Sequence, residues 1–458
     1  MKKEKKYELK YNTFPIAKLF KKEDQYYLYD TNLNNIYVIK NELYVELAII
    51  MNIGLKEYLT NYENSKLYND VLSLLEKGFL KSNIIVEIEH PETYYIDSLI
   101  ERGISDITLQ VTKNCNFSCR YCAFANDNNI GRVHQNTKMS VKVAKDAIDF
   151  LFKHSQDVHE LTIAFYGGEP MLNFELIKEV VEYANSKFFT KKIKYLMTTN
   201  ASILNDEMLA LLVKNNFEIS ISLDGPKNIQ NRHRKFFQTG KGTFDIVYNN
   251  LMKIKNKNSD FFYNNLFFLP VAFQDEDENQ ILDFFDLLGI DRNRVKRVIA
   301  DLKGVDYLHN YQIDNIEKVV EKNSINVELD ERYLNVYNDK SQLPEKWHHN
   351  GPCVPGMQRL FVNVDGVLHL CEKSMEDDYL SIGDIYDGFN INKIKKFMNI
   401  GKITENECKR CWAMRFCNIC LMFCNDVEQK AITYEKKILA CEQIKKDTLS
   451  FFKRKIVN

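Results

Sequence analysis

Cys115-Asn-Phe-Ser-Cys119-Arg-Tyr-Cys122 sets three thiols on one short stretch, close enough to fold around a single metal cluster. A cubane iron-sulfur cluster takes four ligands, its protein ligands are generally thiolates, and three cysteines leave one iron open to a substrate or cofactor. Residue types alone also admit a zinc knuckle. Tyr166-Gly167-Gly168-Glu169-Pro170 is a second candidate, because paired glycines let backbone groups approach a ligand closely, although such a segment by itself is equally a turn. Thr199-Asn200-Ala201-Ser202 and Ser222-Leu-Asp224-Gly225-Pro226 supply polar side chains, and Arg234 precedes Gly240-Lys-Gly242-Thr-Phe. A guanidinium fork suits a carboxylate; a solvated surface arginine is the plainer alternative. Eight further thiols, Cys353, Cys371, Cys408, Cys411, Cys417, Cys420, Cys424 and Cys441, suffice for two four-iron clusters or, by count alone, for two zinc ions.

The elements that must position these residues alternate. Strand-like runs occur at Asp106 to Val111, Leu161 to Tyr166, Ile193 to Thr199, Phe217 to Leu223, Leu266 to Phe273 and Val295 to Asp301. Amphipathic helices lie between them: Val141 to Lys153 after a Ser140 cap, Phe174 to Ser186, Glu207 to Lys214 after Asn205, Thr243 to Ile254, and Gln280 to Leu288 before Gly289. This alternation predicts a parallel sheet, open or closed into part of a barrel, with chemistry at the C-terminal ends of its strands. The cysteine triad falls just past the first strand and the Gly-Gly-Glu-Pro segment just past the second. Ahead of them, Tyr26 to Tyr29 and Ile36 to Ile39 around the Asp30 to Asn35 turn predict a hairpin; helices follow at Glu42 to Met51 and Val71 to Lys77, and a strand at Ile84 to Ile88. The polar stretch from His90 to Glu101 reads as a boundary, and residues 302 to 350 as a connecting segment.

The chain has 458 residues, room for two to four domains, and its formal net charge of -1 offers no basic excess for nucleic acid. Its best apolar run, Leu43 to Leu55, is broken by Glu46 and Asn52, and the basic Met1 to Lys10 leads into mixed charge instead of a signal-peptide core. A cytoplasmic protein without a membrane partner is the expectation. Three of the eleven cysteines lie between residues 115 and 122, none between 123 and 352, and eight between 353 and 441; this bunching marks ligand sets instead of disulfides.

With Tyr121 directly before its third cysteine, the triad resembles the radical S-adenosylmethionine (radical SAM) superfamily. The resemblance implies a partial (βα)6 TIM-like barrel, a catalytic cluster on Cys115, Cys119 and Cys122, and reductive cleavage of S-adenosylmethionine to a 5'-deoxyadenosyl radical that abstracts a hydrogen atom. It implies further that Gly167, Gly168, Glu169 and Pro170 receive the cofactor's amino group, that Asn200, Ser222 and Asp224 line its pocket, and that Arg234 meets its carboxylate. Gly366-Val-Leu-His-Leu-Cys371, Cys408-Lys-Arg-Cys411-Trp-Ala-Met-Arg-Phe-Cys417 and Cys441 resemble the SPASM domain, which houses auxiliary iron-sulfur clusters. By that resemblance Cys408, Cys411, Cys417 and Cys441 enclose an outer cluster, while Cys353 and Cys371 begin an inner one that Cys420, Cys424 or both complete. That makes three [4Fe-4S] clusters.

The order of the N-terminal elements resembles the winged-helix-like recognition element (RRE) that binds leader peptides, and Cys122-Ala-Phe-Ala with Arg132-Val-His134 is similar to thioether-forming maturases. The domains implied are 1–100, leader recognition; 101–310, radical SAM; 311–350, connector; and 351–458, SPASM. The whole resembles a sactipeptide or ranthipeptide maturase, joining cysteine sulfur to carbon in a ribosomally made precursor peptide and drawing electrons from a ferredoxin or flavodoxin. Carbon-carbon crosslinking, formylglycine formation on a sulfatase, and a non-enzymatic zinc scaffold that escorts a peptide are the alternatives.

Overall fold

Residues 14–81, 85–122, 135–272, 275–296, 298–299, 327–349, 353–374 and 376–456 are described by the structure, a computed structural model. The contacts divide the chain into two units. One comprises Met1–Thr93, Ser324–Cys353 and Lys396–Asn458; the other comprises Tyr94–Asn323 and Val354–Lys395. Residues 351–458, expected from the sequence to form one domain, therefore contribute to both.

The first unit opens with an antiparallel sheet in the order β1 (Ala17–Lys22), β2 (Gln25–Asp30), β3 (Asn35–Ile39). The expected hairpin is β2 and β3. Its turn is fastened by Asp30, whose carboxylate accepts from the Asn32, Leu33 and Leu80 amides at 3.0, 3.0 and 2.9 Å. The sequence reading missed β1, whose short Leu19-Phe20 core is flanked by lysines that obscure the alternation. Helices α1 (Asn41–Ile53), α2 (Leu55–Asn61) and α3 (Tyr68–Glu76) follow, with Gly54 at φ 90° turning the corner into α2, which was also missed. Leu28, Leu47, Ile50, Tyr58 and Val71 are fully buried between sheet and helices. Phe20, Tyr27 and Tyr29 pack instead with Tyr333, Phe416, Phe451 and Phe452, so the C-terminal helix Tyr434–Lys455 shares a core with this sheet. Of the strand expected at Ile84 to Ile88, the described part is β4 (Glu87–Ile88), parallel to Lys346–Trp347.

In the second unit, α4 (Ile96–Arg102) occupies part of the expected boundary stretch and leads into β5 (Asp106–Thr112). There follow β6 (Phe117–Cys119), α5 (Val141–His154), β7 (Glu160–Gly167), α6 (Phe174–Lys187), β8 (Lys192–Thr199), α7 (Asp206–Lys214), β9 (Glu218–Ile221), α8 (Lys227–His233) and β10 (Arg234–Phe236). Then come α9 (Phe244–Lys257), α10 (Ser259–Asn265), β11 (Leu266–Phe268), β12 (Val271–Ala272), α11 (Asp275–Leu287) and β13 (Val298–Ile299). Strands β5, β7, β8, β9 and β11 pair in parallel in that order. A parallel bridge from Phe268 to Val295 and the β12–β13 pair continue the series. Ser140 caps α5 by accepting from the Val143 amide, and Asn205 caps α7 through Met208, as their positions predict. The fifth expected strand is broken in two at Leu269 and Pro270, because proline has no N–H for the ladder. Helix α11 begins five residues before the expected Gln280, since its first turn is acidic and gives no apolar period.

Two further strands were not foreseen. Leu360–Val362 adds in parallel to the free edge of β5, in the register Leu360–Ile107, Phe361–Thr108 and Val362–Leu109, and antiparallel Val367–His369 follows a turn at Gly366. No helix among the described residues is long and apolar enough to cross a membrane.

Candidate functional site

The loop after β5 carries Cys115, Cys119 and Cys122, all free and partly buried. Cys119 ends β6, which pairs antiparallel with β10 so that Arg234 faces Cys119, Lys235 faces Ser118 and Phe236 faces Phe117. The end of β7 lies across the start of the loop: the Gly168 amide donates to Thr112 O at 3.0 Å and the Glu169 amide to Asn114 O at 2.8 Å. A Cβ at Gly167, where φ is +139°, would stand 2.1 Å from Thr112 O, and one at Gly168 2.2 Å from Asn114 O. The close approach these glycines permit is to the backbone of the cysteine loop itself.

Glu169 is 1% exposed, and its carboxylate is spent inside the protein. It accepts from the Met171 amide at 3.0 Å, Thr199 Oγ1 at 2.6 Å and the Asn200 amide at 2.6 Å, tying the end of β8 to the Gly-Gly turn. Burial pushes its pKa up to about 6 despite those three donors. Asn200 in turn reaches the loop: its Nδ2 donates to Asn116 Oδ1 at 2.9 Å and lies 4.0 Å from Cys115 Sγ, while Asn116 Nδ2 donates to Ser202 Oγ at 2.8 Å. The backbone of Ser222 bonds to Thr199 O at 2.9 Å, joining the tips of β8 and β9.

Asp224 and Arg234 form a buried fork-to-fork pair, with Nε to Oδ2 at 3.0 Å and Nη2 to Oδ1 at 2.9 Å. Tyr121 donates to Asp224 Oδ2 at 2.6 Å and lies under the guanidinium, 5.1 Å from ring centroid to Cζ. Val271 adds its amide to Asp224 Oδ1 at 3.0 Å. The resemblance implies that Asp224 and Arg234 serve the cofactor; the structure brings them together with Tyr121, and Arg234 stands opposite Cys119 across the β6–β10 ribbon. Gln230 was missed: it accepts from the Asp224 amide and donates to Thr243, and no motif marked it. Ala123 to His134, including Arg132 and His134, lie outside the described residues.

A second thiol set belongs to the first unit. Cys408, Cys411, Cys417 and Cys441 feel one another's charge, and so does fully buried Cys424, whose thiol donates to Cys420 O at 3.7 Å. Among them lies Lys437, 0% exposed, which donates to Thr404 Oγ1 at 2.6 Å and to Cys408 Sγ at 3.8 Å. Glu407 feels its charge at longer range, but Lys437 forms no ion pair among the described residues. Spacing marks it only as a lysine on a helix. Cys353 is exposed in the first unit, and Cys371 belongs to the second.

Residues 109–288 match the family model described as the Radical SAM superfamily. The chain carries a radical SAM domain. The chain is also similar to an uncharacterized protein of Methanocaldococcus jannaschii, 37% identical over 123 residues, 27% of this chain and 40% of the relative. It is similar as well to the radical SAM cyclopropyl synthase TigE of Paramaledivibacter caminithermalis, 26% identical over 283 residues, 58% of each. The chain thus spans about half the length of these first curated relatives. A cysteine-type anaerobic sulfatase-maturating enzyme of Clostridium perfringens is 24% identical over 344 residues, 69% of this chain and 88% of the relative. Native anSMEcpe with bound AdoMet shares the fold at a TM-score of 0.57 and 20% identity, over 78% of this chain and 98% of that one.

The radical SAM triad fits an iron-sulfur cluster on the chemistry of its donors. Burial pushes the Cys115 thiol far above its ordinary range and Cys119 up to about 12, the latter against the pull of Arg234, so thiolates at these two positions need a bound cation to stabilise them. Cys411 and Cys424 are likewise pushed up to about 12 by burial. No three His, Cys, Asp or Glu side chains among the described residues are gathered closely enough to hold a single metal ion.

Proposed function

We propose that this chain is a peptide maturase that installs thioether crosslinks in a ribosomally made precursor. The observation that carries the reading is the three-stranded sheet followed by three helices, α1 to α3, ahead of the radical SAM domain. This is the element order of a winged-helix-like leader-binding module, and β3 is an edge strand, with Val38 66% exposed, to which a leader can add as a further strand.

A [4Fe-4S] cluster and S-adenosylmethionine, when bound, supply reductive sulfonium cleavage and hydrogen-atom abstraction. Cys115, Cys119 and Cys122 would hold that cluster in a partial barrel spanning residues 101–310. Asn116, Asn200 and Ser202 fix the Cys115 end of the loop, and Asp224, Tyr121 and Arg234 fix the Cys119 end. Glu169 keeps the Gly167-Gly168 turn seated on the loop, so that Gly167, Gly168 and Pro170, with Ser222 on the neighbouring strand tip, would border the cofactor. Since Arg234 is already paired with Asp224, it would divide its donors between that carboxylate and the cofactor's. Cys408, Cys411, Cys417 and Cys441 would hold an outer SPASM cluster; Cys353 and Cys371 would begin an inner one, with Cys420 and Cys424 as its remaining candidates. Residues 1–100 would recognise the leader, 311–350 connect, and 351–458 carry both auxiliary clusters. A cytoplasmic ferredoxin or flavodoxin would deliver the electrons.

The test is anaerobic incubation of the reconstituted protein with S-adenosylmethionine and a cysteine-containing precursor encoded beside its gene. A product lacking a pair of hydrogens, with cysteines that resist alkylation, is the expected result. Equal mass loss with cysteines still alkylatable would establish carbon-carbon crosslinking, the reading that similarity to a cyclopropyl synthase favours. An aldehyde formed on a sulfatase peptide would establish formylglycine formation, which similarity to the sulfatase-maturating enzymes favours.

A further inference from the structure

We propose that the outer surface of the β6–β10 ribbon is the docking site for an acidic one-electron carrier protein. The proposal rests on the radical SAM reading of Cys115, Cys119 and Cys122. It starts from a local imbalance of charge in a chain that is nearly neutral, with 62 Lys and Arg against 63 Asp and Glu. Neither Lys113 to Cys122 nor Pro226 to Phe244 contains a single Asp or Glu, yet they hold Lys113, Arg120, Lys227, Arg232, Arg234, Lys235 and Lys241.

Three of these are neutralised within the fold: Lys113 by Glu376, Lys227 by Asp245 and Arg234 by Asp224. Arg120, Lys235 and Lys241 are exposed and form no ion pair among the described residues. They are held together by backbone. The Arg120 amide bonds to His233 O, Lys235 pairs with Ser118 and bridges to Gly242, and Lys241 O accepts from the Phe236 amide at 2.9 Å. Next to them Phe237, its amide bonded to Asn116 O in the cysteine loop, leaves its ring 72% exposed. An exposed aromatic ringed by unpaired cations has the composition of a protein-docking patch, an apolar anchor with a charged rim.

Its place decides the occupant. Cys119 is itself a residue of the ribbon, so a partner seated on Lys235 and Phe237 is separated from a cluster ligand only by the ribbon's own thickness. Electron tunnelling falls steeply with distance, and cationic steering raises the encounter rate with an acidic partner. One electron leaves the carrier's reduced centre, which is oxidised by its loss, and the cluster is reduced by gaining it; no bond forms or breaks.

The experiment is stopped-flow reduction of the iron-loaded protein by flavodoxin hydroquinone, comparing the native chain with Arg120→Glu/Lys235→Glu/Lys241→Glu. The second-order rate should fall about tenfold or more at low salt and lose most of its salt dependence. Reduction by a small neutral reductant, photoreduced deazaflavin, should stay the same per iron. Phe237→Ala should slow flavodoxin reduction without altering the salt dependence. An unchanged flavodoxin rate in the triple variant overturns the proposal. So does normal flavodoxin reduction accompanied by lost affinity for an acidic precursor peptide, which would give the surface to the substrate. A native chain that binds no iron at Cys115, Cys119 and Cys122, or that deazaflavin cannot reduce, would instead sink the underlying radical SAM reading.

Discussion

The two buried thiol sets solve the same electrostatic problem with different counter-charges. Beside Cys119 the cation is Arg234, but Asp224 takes both ends of its fork, so the pair brings hydrogen bonds and almost no net charge. Beside Cys408, Cys424 and Cys441 the cation is Lys437, which among the described residues has only a threonine hydroxyl and a thiol within hydrogen-bonding distance of its ammonium. A fixed positive charge favours the more negative, reduced form of any cluster nearby, whereas a neutralised one does not. A cluster held by the first set would thereby have a lower potential than one held by the second. That is the order in which electrons should be given and accepted.

The largest effect tests whether the sets are separate. Cys115→Ala should abolish reductive release of 5'-deoxyadenosine while iron bound by the C-terminal thiols persists, measured by metal analysis and chromatography of the nucleoside. Loss of iron from both sets together would break the comparison. Next is the Arg234 pair: Asp224→Ala strands a buried guanidinium and should cost about 3–5 kcal/mol in urea unfolding, with Asp224→Ala/Arg234→Met recovering much of it. A cost under about 1 kcal/mol would mean that the pair is not the closed unit its geometry describes.

Lys437→Met should act in opposite directions on the two forms of the protein. Without metal it removes a buried cation that has no carboxylate partner among the described residues and should stabilise by roughly 1–4 kcal/mol; with a cluster bound there, an EPR-monitored titration should place the potential lower. An unmoved potential would remove the distinction between the sets. The smallest effect concerns Glu169. Its pKa, about 6 folded against an ordinary 4.5, means the folded state binds the extra proton, so this contribution to stability is full below pH 4.5 and lost as pH rises through 6. Over that window the metal-free protein should lose about 2 kcal/mol, a slope that Glu169→Gln should flatten in pH-dependent urea unfolding.

The sequence was most legible where period and caps act locally. Strands β5, β7 and β8 and helices α5 to α7 fall within a residue or so of expectation, because their apolar faces repeat and Ser140 and Asn205 mark two of the helix starts. It was least legible where a partner lies far along the chain. Nothing near Phe117 announces that Arg234–Phe236 will pair with it, and nothing near Leu360 announces β5. The structure sets Asp224, Arg234 and Tyr121 beside the cysteine loop. That they are fastened to one another depends on side-chain directions that spacing cannot give.

The strand Leu360–Val362 has a consequence for the order of biosynthesis. Its partner Ile107 is made some 250 residues earlier, so at roughly 5–20 residues per second the edge of β5 waits tens of seconds for its neighbour. Through that interval Ile107 and Leu109 stand on a bare strand edge able to recruit a second nascent chain. A fragment ending with the radical SAM domain would keep that edge permanently. It should accumulate in inclusion bodies, whereas one extended through Lys395 should remain in solution.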